Sequence, residues 1–559
     1  MQHQLATLDY IVFFFYFLIV SGYGIWIYRR KTGHDGTMEG DSKDYFLAEG
    51  SLTWWAIGSS LIASNISAEQ MVAMAGSGFK LGLAIATYEW MAALTLVIVG
   101  VFFIPVYLKN KIFTMPQFLH QRYNGTVAMI MAIFWLMLYV VVNLTSILYL
   151  GAVAMSSVAG LNLTFCLYAL AIFAVIITLG GMKVIGFTDV IQVFFLILGG
   201  LATTYLALNL VSEHYGTTGV VNGFRLLTTQ ANDHFHMIFN RDNPNYLDLP
   251  GLTVLLGGMW IVNLNYWGCN QYITQRALGA DLPTARGGLL FAAFLKLMMP
   301  IIVVLPGIAA YVLFKQNVFS TEMTVNGVVT PDRAYPVLLN ILPVGLKGLS
   351  FAALVAAVVA SLAGKANSIA TIFTLDIYKK VLNPEASEKK MVNVGKTAVV
   401  VAMFIGVLIS PHLGIEKGGF QYIQEYTGFV SPGIFAMFLL GFFWKRATSS
   451  AALFATIGGF LLSCLLKFLP GMMDLSFLAP IGFAVPVNGV YEIPFLDRMG
   501  IVFIFCIIGM ILISVIETSR GVKTNGLEVD SSMFRTNRSF AVGSMVIAVL
   551  LTVLYTVYW

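Results

Sequence analysis

Apolar residues fall into fourteen long runs separated by short polar stretches. The runs lie near 10–28, 53–79, 82–108, 127–157, 161–182, 187–211, 251–274, 288–314, 349–378, 398–415, 421–444, 450–467, 499–516 and 539–559. A helix crosses the hydrocarbon core of a bilayer in about 20 mostly apolar residues. The pattern therefore predicts an all-α polytopic membrane protein with fourteen transmembrane helices. Roughly two-thirds of the Lys and Arg residues lie in the loops that this count places in the cytoplasm, as the positive-inside rule requires. Arg29, Arg30 and Lys31 follow the first run and no basic residue precedes it. That puts both termini outside and argues against a cleavable leader. The segment 468–498 contains Pro470, Pro480, Pro486 and Pro494, so it reads as a shaped external loop rather than a further crossing.

Two runs carry polar interruptions. The run 53–79 contains Ser64-Asn65-Ile66-Ser67-Ala68-Glu69-Gln70, and the run 251–274 contains Asn263-Leu264-Asn265-Tyr266-Trp267-Gly268-Cys269-Asn270-Gln271. Ser and Asn side chains compete for backbone hydrogen bonds and weaken a helix locally. Unwound backbone survives at membrane depth only where it lines a cavity or is buried in protein. Counted from the run 53–79, the interrupted spans are the first and the sixth. Corresponding breaks in two halves of a chain point to an inverted-repeat transporter with its site near the midplane.

Composition narrows the classes. Of 559 residues, 58% are apolar and 11% charged, and the mean hydropathy is +0.83. Such a chain cannot cover itself with a water-soluble surface, which excludes a soluble enzyme and a nucleic-acid binder. The expected surroundings are a lipid bilayer and a small solute. Cys166, Cys269, Cys464 and Cys506 all sit in apolar runs, as buried hydrophobes do. The seven histidines stand away from the polar residues of the spans. His234 and His236 lie in an external loop and are read as solvated surface. With no nucleophile–base or metal-type cluster, the expectation is a non-enzyme. A membrane sensor would be expected to carry a further signalling domain.

Ionisable residues within spans are few: Glu69, Glu89, Asp189, Lys296, Lys365 and, nearer a membrane face, Glu425. Such groups are costly in lipid and face a cavity or a partner. Gln70, Glu89, Asn263, Lys296 and Gln424 lie on five different spans and together offer amides, a carboxylate and an ammonium. A neutral polyol presents hydroxyls that both donate and accept, and this mixed set suits it. Tyr266 and Trp267 can stack on the apolar face of a sugar ring, and Met74, Tyr88 and Phe420 can close over it. A sodium ion takes oxygens. The break at 63–66 can supply carbonyls, and the small-residue segment Ala356-Ala357-Val358-Val359-Ala360-Ser361 can approach closely and add a hydroxyl.

The stretches Ser60 to Gln70, Tyr88-Glu89-Trp90-Met91, Thr188-Asp189-Val190-Ile191-Gln192, Tyr266 to Gln271 and Phe420 to Gly428 resemble the solute:sodium symporter family. Asp44-Tyr45-Phe46-Leu47-Ala48 and Asn367-Ser368 through Asp376-Ile377-Tyr378 match as well, so the likeness runs through nearly the whole chain. The resemblance implies a five-plus-five inverted repeat at 53–211 and 251–444, with extra helices at 10–28 and 450–559, all in one membrane domain. It implies sodium-coupled symport of a galactose- or glucose-like hexose by alternating access in a bacterial inner membrane. The sugar contacts would be Gln70, Glu89, Asn263, Lys296 and Gln424, with Asn65 lining the pocket. Tyr266 would be the inner gate, and Met74, Tyr88 and Phe420 the outer one. Sodium would be held by the carbonyls of Ala63, Ile66 and Ala357 and the Ser361 hydroxyl, with Asp189 on its exit path. Three positions depart from the family pattern: Ala360 and Ala92 replace serines, and Lys365 replaces an apolar residue. Lys365 stands one turn after Ser361 on the same helix face and is a candidate partner of Asp189 and surrogate for an ion. The same residues fit a proton-coupled or uncoupled sugar transporter, or a sodium symporter of inositol or a sialic acid.

Overall fold

Each apolar run lies mostly on helix as far as it is described, and several helices extend beyond the runs where polar turns continue them. In the computed structural model the described residues are 5–31, 53–67, 69–112, 114–179, 182–325, 327–412 and 419–559. The Asp44–Ala48 motif and the side chains of Arg29, Arg30, Lys31 and Glu69 lie outside the described residues. Among those described, nine helices are long and apolar enough to cross a membrane. A tenth forms if Gly419–Gly428 and Ser431–Phe443, bent by 51°, count as one span. The strands among the described residues form two short hairpins, Thr324–Val325 with Val328–Val329 and Val485–Val487 with Val490–Glu492. The second lies in the proline-bearing loop 468–498.

The chain forms two compact units. The first comprises Met1–Ala86, Leu136–His236 and Phe294–Tyr422, the second Thr87–Trp135, Met237–Ala293 and Ile423–Trp559. In the first unit three helices pack on one another: α2 (Trp54–Asn65), α5 (Met182–His214) and α8 (Leu346–Thr371). Helix α8 is its axis, with every residue buried except Leu346 and Leu349. Small side chains permit this. A Cβ on Gly151 would lie 2.6 Å from Val358, and one on Gly199 would lie 2.8 Å from the Ser350 hydroxyl.

Helix α1 (Thr7–Lys31) packs against α5 and α8. Its Asp9 is fully buried and accepts the backbone N–H groups of Gly345 (2.7 Å) and Gly348 (3.0 Å). These are orphan donors at the start of α8, so a side chain from another helix caps it.

Helix α2 stops at Asn65. Ile66 is extended (φ −78°, ψ 98°), and after a short break the chain resumes as a π-helical turn, Glu69–Ala73, leading into α3 (Met74–Leu81). The predicted first break is there. Helix α3 ends at Gly82, whose φ of +70° and whose contact with the His234 backbone leave no room for a side chain.

That contact corrects one expectation. His236 is exposed, but His234 is buried. Its ring stacks on Tyr311 at 3.9 Å, and Nε2–H donates to the Phe79 carbonyl at 3.1 Å. The loop folds back over the end of α3 and takes its terminal carbonyl, which a reading of loop polarity does not reveal.

In the second unit Arg122 stands inside the protein. It donates to the carbonyls of Gly441 (2.7 Å), Trp444 (2.8 Å) and Ala447 (3.1 Å). It thereby satisfies the end of helix Ser431–Phe443.

Replacing Asp9 with Ala strands two buried N–H groups, a loss of about 1–2 kcal/mol. The expected result is a lower thermal midpoint of the purified protein in detergent, with Asp9→Asn intermediate.

Candidate functional site

Three packed helices of the first unit bring one chain of hydrogen bonds together. The Ser361 hydroxyl on α8 donates to the Ser64 carbonyl at 3.2 Å. The Ser64 hydroxyl donates to the Ser60 carbonyl at 2.7 Å, and the Ser60 hydroxyl donates to Asp189 on α5 at 2.8 Å. All four residues are buried, at 2% exposure or less. Because α2 ends at Asn65, its last carbonyls lack the intrahelical donors that a continuing helix would give. One of them, that of Ser64, is met by the facing hydroxyl. Ala63, Ile66 and Ala357 sit in the same buried surroundings, at 2% or less. The donor set is carbonyl and hydroxyl oxygen, the kind that replaces the hydration shell of an alkali cation. Among the described residues no three His, Cys, Asp or Glu side chains gather as a metal site of the other type.

Ser60 was not singled out by the sequence reading. Its signal is the four-residue spacing to Ser64, which puts both hydroxyls on one helix face.

The same break serves a second group. The Lys296 ammonium, 1% exposed, donates to the Asn65 side-chain oxygen. A buried ammonium needs such an acceptor, and the last residue of α2 provides it. Gln70 and Met74 follow on the other side of the break and are buried, as is Phe420. Close approach fixes this half-helix. A Cβ on Gly78 would meet the Val304 carbonyl oxygen at 2.7 Å, and one on Gly307 would meet that of Ala75 at 2.1 Å.

In the second unit the helix Gly258–Gly268 packs against the helix Thr87–Ile98. The first carries Asn263, Tyr266 and Trp267, the second Tyr88 and Glu89. Glu89 and Tyr88 are buried, and the rings of Tyr266 and Trp267 meet edge to face at 5.1 Å. Gln424 is partly exposed on Gly419–Gly428.

The second predicted break needs correction. Residues 263–268 are continuous helix, and the interruption falls at Cys269–Asn270, before Gln271–Leu278. The polar side chains find partners without unwinding the helix. Asn263 donates to the Met259 carbonyl one turn back (3.1 Å), and Asn265 donates to the Ser431 hydroxyl (3.1 Å). The helix ends where Gly268 packs on the Phe103 ring and its carbonyl accepts the Tyr107 hydroxyl at 2.7 Å. Just beyond, Gln271 accepts the Met115 N–H at 2.7 Å. Tyr107 bears no motif, Gln271 only closes one, and only the fold reveals these two bonds.

Comparison with known proteins gives consistent results. The sodium:solute symporter family profile matches residues 45–459. A sodium/glucose cotransporter of Vibrio parahaemolyticus is 45% identical over 100% of this chain and 99% of its own length. A sodium/myo-inositol cotransporter 2 of Oryctolagus cuniculus is 34% identical over 86% of this chain and 72% of its own. Among solved structures, a substrate-bound, outward-open Na+-coupled sialic acid symporter superposes with a TM-score of 0.73. It covers 91% of this chain and 98% of its own at 21% identity, and so shares the fold.

A methyl group on Gly268 would lie 2.4 Å from the Phe103 ring. Gly268→Ala is therefore expected to destabilise by about 1–3 kcal/mol, measured as a lower thermal midpoint. Tyr107→Phe should cost about 1 kcal/mol by leaving the Gly268 carbonyl unmet.

Proposed function

The chain belongs to the sodium:solute symporter family, and from that premise we propose that it takes up a hexose-like sugar together with sodium by alternating access. One observation carries the reading: a single helix break supplies both a carbonyl to Ser361 and a side-chain oxygen to Lys296. An ion and a polar solute bound at the two faces of one break sense each other directly. The sugar, rather than another solute, is favoured by the full-length likeness to a sodium/glucose cotransporter.

In this reading the Ala63, Ile66 and Ala357 carbonyls and the Ser361 hydroxyl hold sodium. Sodium draws α2 and α8 together and favours the outward-open shape. Its preference for that shape is the coupling free energy, and the membrane potential adds about 2.3 kcal/mol per charge per 100 mV. Gln70, Glu89, Asn65, Asn263, Lys296 and Gln424 then bind the sugar hydroxyls, with Tyr266 and Trp267 against its ring. Met74, Tyr88 and Phe420 close above. Sodium leaves past Asp189, and Tyr266 releases the sugar below. The chain makes fourteen crossings with both termini outside. Residues 53–211 and 251–444 are the inverted repeats, in a bacterial inner membrane.

Lys365 completes the cation's surroundings. Gly199 of α5 faces Ser350 of α8, and Ile191 and Phe195 pack against the cluster of Tyr16, Val20, Ala352 and Ala356. Residue numbers thus rise along one helix as they fall along the other, which brings Asp189 near the turn of Ser361. Side chains on a helix lean toward its N-terminus, so the buried Lys365 is within reach of that turn. It is a tethered cation where Ala360 has removed a hydroxyl.

Labelled hexose should accumulate in proteoliposomes only with an inward sodium gradient. Gln70→Ala and Lys296→Ala should each lower uptake at least about tenfold, since a lost buried hydrogen bond to substrate costs about 1–3 kcal/mol. Wild-type uptake in both would reject the pocket, and preference for myo-inositol would reassign the solute. The Lys365→Met, Ala360→Ser double variant should raise the number of sodium ions carried per sugar. An unchanged stoichiometry rejects the tethered-cation role.

A further inference from the structure

One buried carboxylate stands apart from this site. Asp332 lies in the external turn Pro331–Arg333, between the long helices of the first unit, and is 4% exposed. Its Oδ2 accepts the N–H of Gly419 at 2.9 Å. Gly419 begins the helix Gly419–Gly428 and immediately precedes Phe420. Its Oδ1 has no hydrogen-bond partner among the described residues and is pressed against Gly76 of α3, where a Cβ would lie 2.4 Å away. Gly76 follows Met74 by two residues. One carboxyl group thus touches the two segments that carry Met74 and Phe420.

We propose that Asp332 is a positioning residue, a proton-sensitive latch that holds the start of the Phe420 helix to the Met74 half-helix when neutral and frees it when ionised. The meaning of those two segments as the outer gate rests on the preceding reading, whereas the latch itself does not. Burial raises the Asp332 carboxyl to about 7, and the Gly419 N–H pulls the other way. Around it, the titratable residues on the packed elements are Arg333 beside it, Glu322 on Ser320–Met323, Tyr335 on Ala334–Leu339, Lys80 at the far end of α3, and Tyr422, Glu425 and Tyr426 on Gly419–Gly428. Glu69 begins the adjoining π-helical turn. Arg333 turns away, donating to the Glu322 carbonyl at 3.2 Å.

The sign follows from linkage. The latched form binds a proton more tightly than a solvated carboxyl, whose value is near 4. Unlatching therefore becomes about tenfold easier per pH unit between roughly 5 and 7, and levels off above. A neutral carboxyl suits the tight seat against Gly76, and ionisation drives it toward water.

Amide hydrogen exchange of the full chain in detergent, without sugar or gradient, tests this. After correction for intrinsic rates, protection of residues 419–424 in the wild type should fall at least about tenfold from pH 5 to pH 7. Asp332→Asn, a permanently neutral acceptor, should keep the pH 5 protection throughout. Asp332→Ala should be unprotected at every pH. Protection that does not change with pH in the wild type overturns the latch, as does a pH response that survives in Asp332→Asn. Should Asp332→Ala not fold, these two arms decide. No transport is measured, so a failure of the sugar reading cannot be mistaken for a failure of the latch.

Discussion

A backbone polar group cannot be left bare in hydrocarbon, and the break after Asn65 is where the first unit meets that constraint. Opening a helix at this depth frees carbonyls that something must satisfy. The protein answers with a hydroxyl from the most buried helix, α8, and the Ser64 carbonyl accepts it. Everything around the break serves this arrangement. The small residues of α8 allow the approach, Asp9 caps that helix from α1, and the glycines of α3 and its neighbours seat the second half of the broken span. A break so supported holds its freed carbonyls in place among the neighbouring helices, which is what the proposed cation site requires.

The features of the fold that depend on local pattern were legible in the sequence. Apolar run length located helices, nine or ten of which are long and apolar enough to cross a membrane among the described residues, and of the charges within the runs Glu89, Asp189, Lys296 and Lys365 are buried. The first interruption was legible because Ser64, Asn65 and Ser67 crowd three competing side chains into four positions. The second was misplaced by the same rule. Asn263 and Asn265 found partners at Met259 and Ser431 without disturbing the backbone. At Asn263 and Asn265 the acceptor one turn back or on a neighbour is compatible with unbroken helix, and a single sequence does not show the neighbour.

What stayed hidden was long-range. Asp9 meets Gly345 and Gly348 across more than three hundred residues of chain, and Ser60 meets Asp189 across another helix. His234 looked like surface because its loop is polar, yet it is the lid on the carbonyl of Phe79. In each case a backbone end or a buried carboxylate needed a partner, and the fold recruited one from outside the local pattern. The accounting of helix termini predicts that such partners exist but not which residues they are.

In the proposed function the departures at Ala360 and Lys365 follow the same accounting. Removing one hydroxyl from α8 would take an oxygen from the cation's surroundings. Adding an ammonium one turn below gives back a positive charge that cannot diffuse away. In that reading fewer free ions are needed to neutralise Asp189, because part of the charge is built into the chain. A tethered cation stays when the shape changes, whereas a bound ion can leave. Only the latter can carry free energy from one side of the membrane to the other. In the proposed reading Lys365 would tune how tightly Asp189 holds the departing sodium, while the driving force would stay with the ion at the Asn65 break.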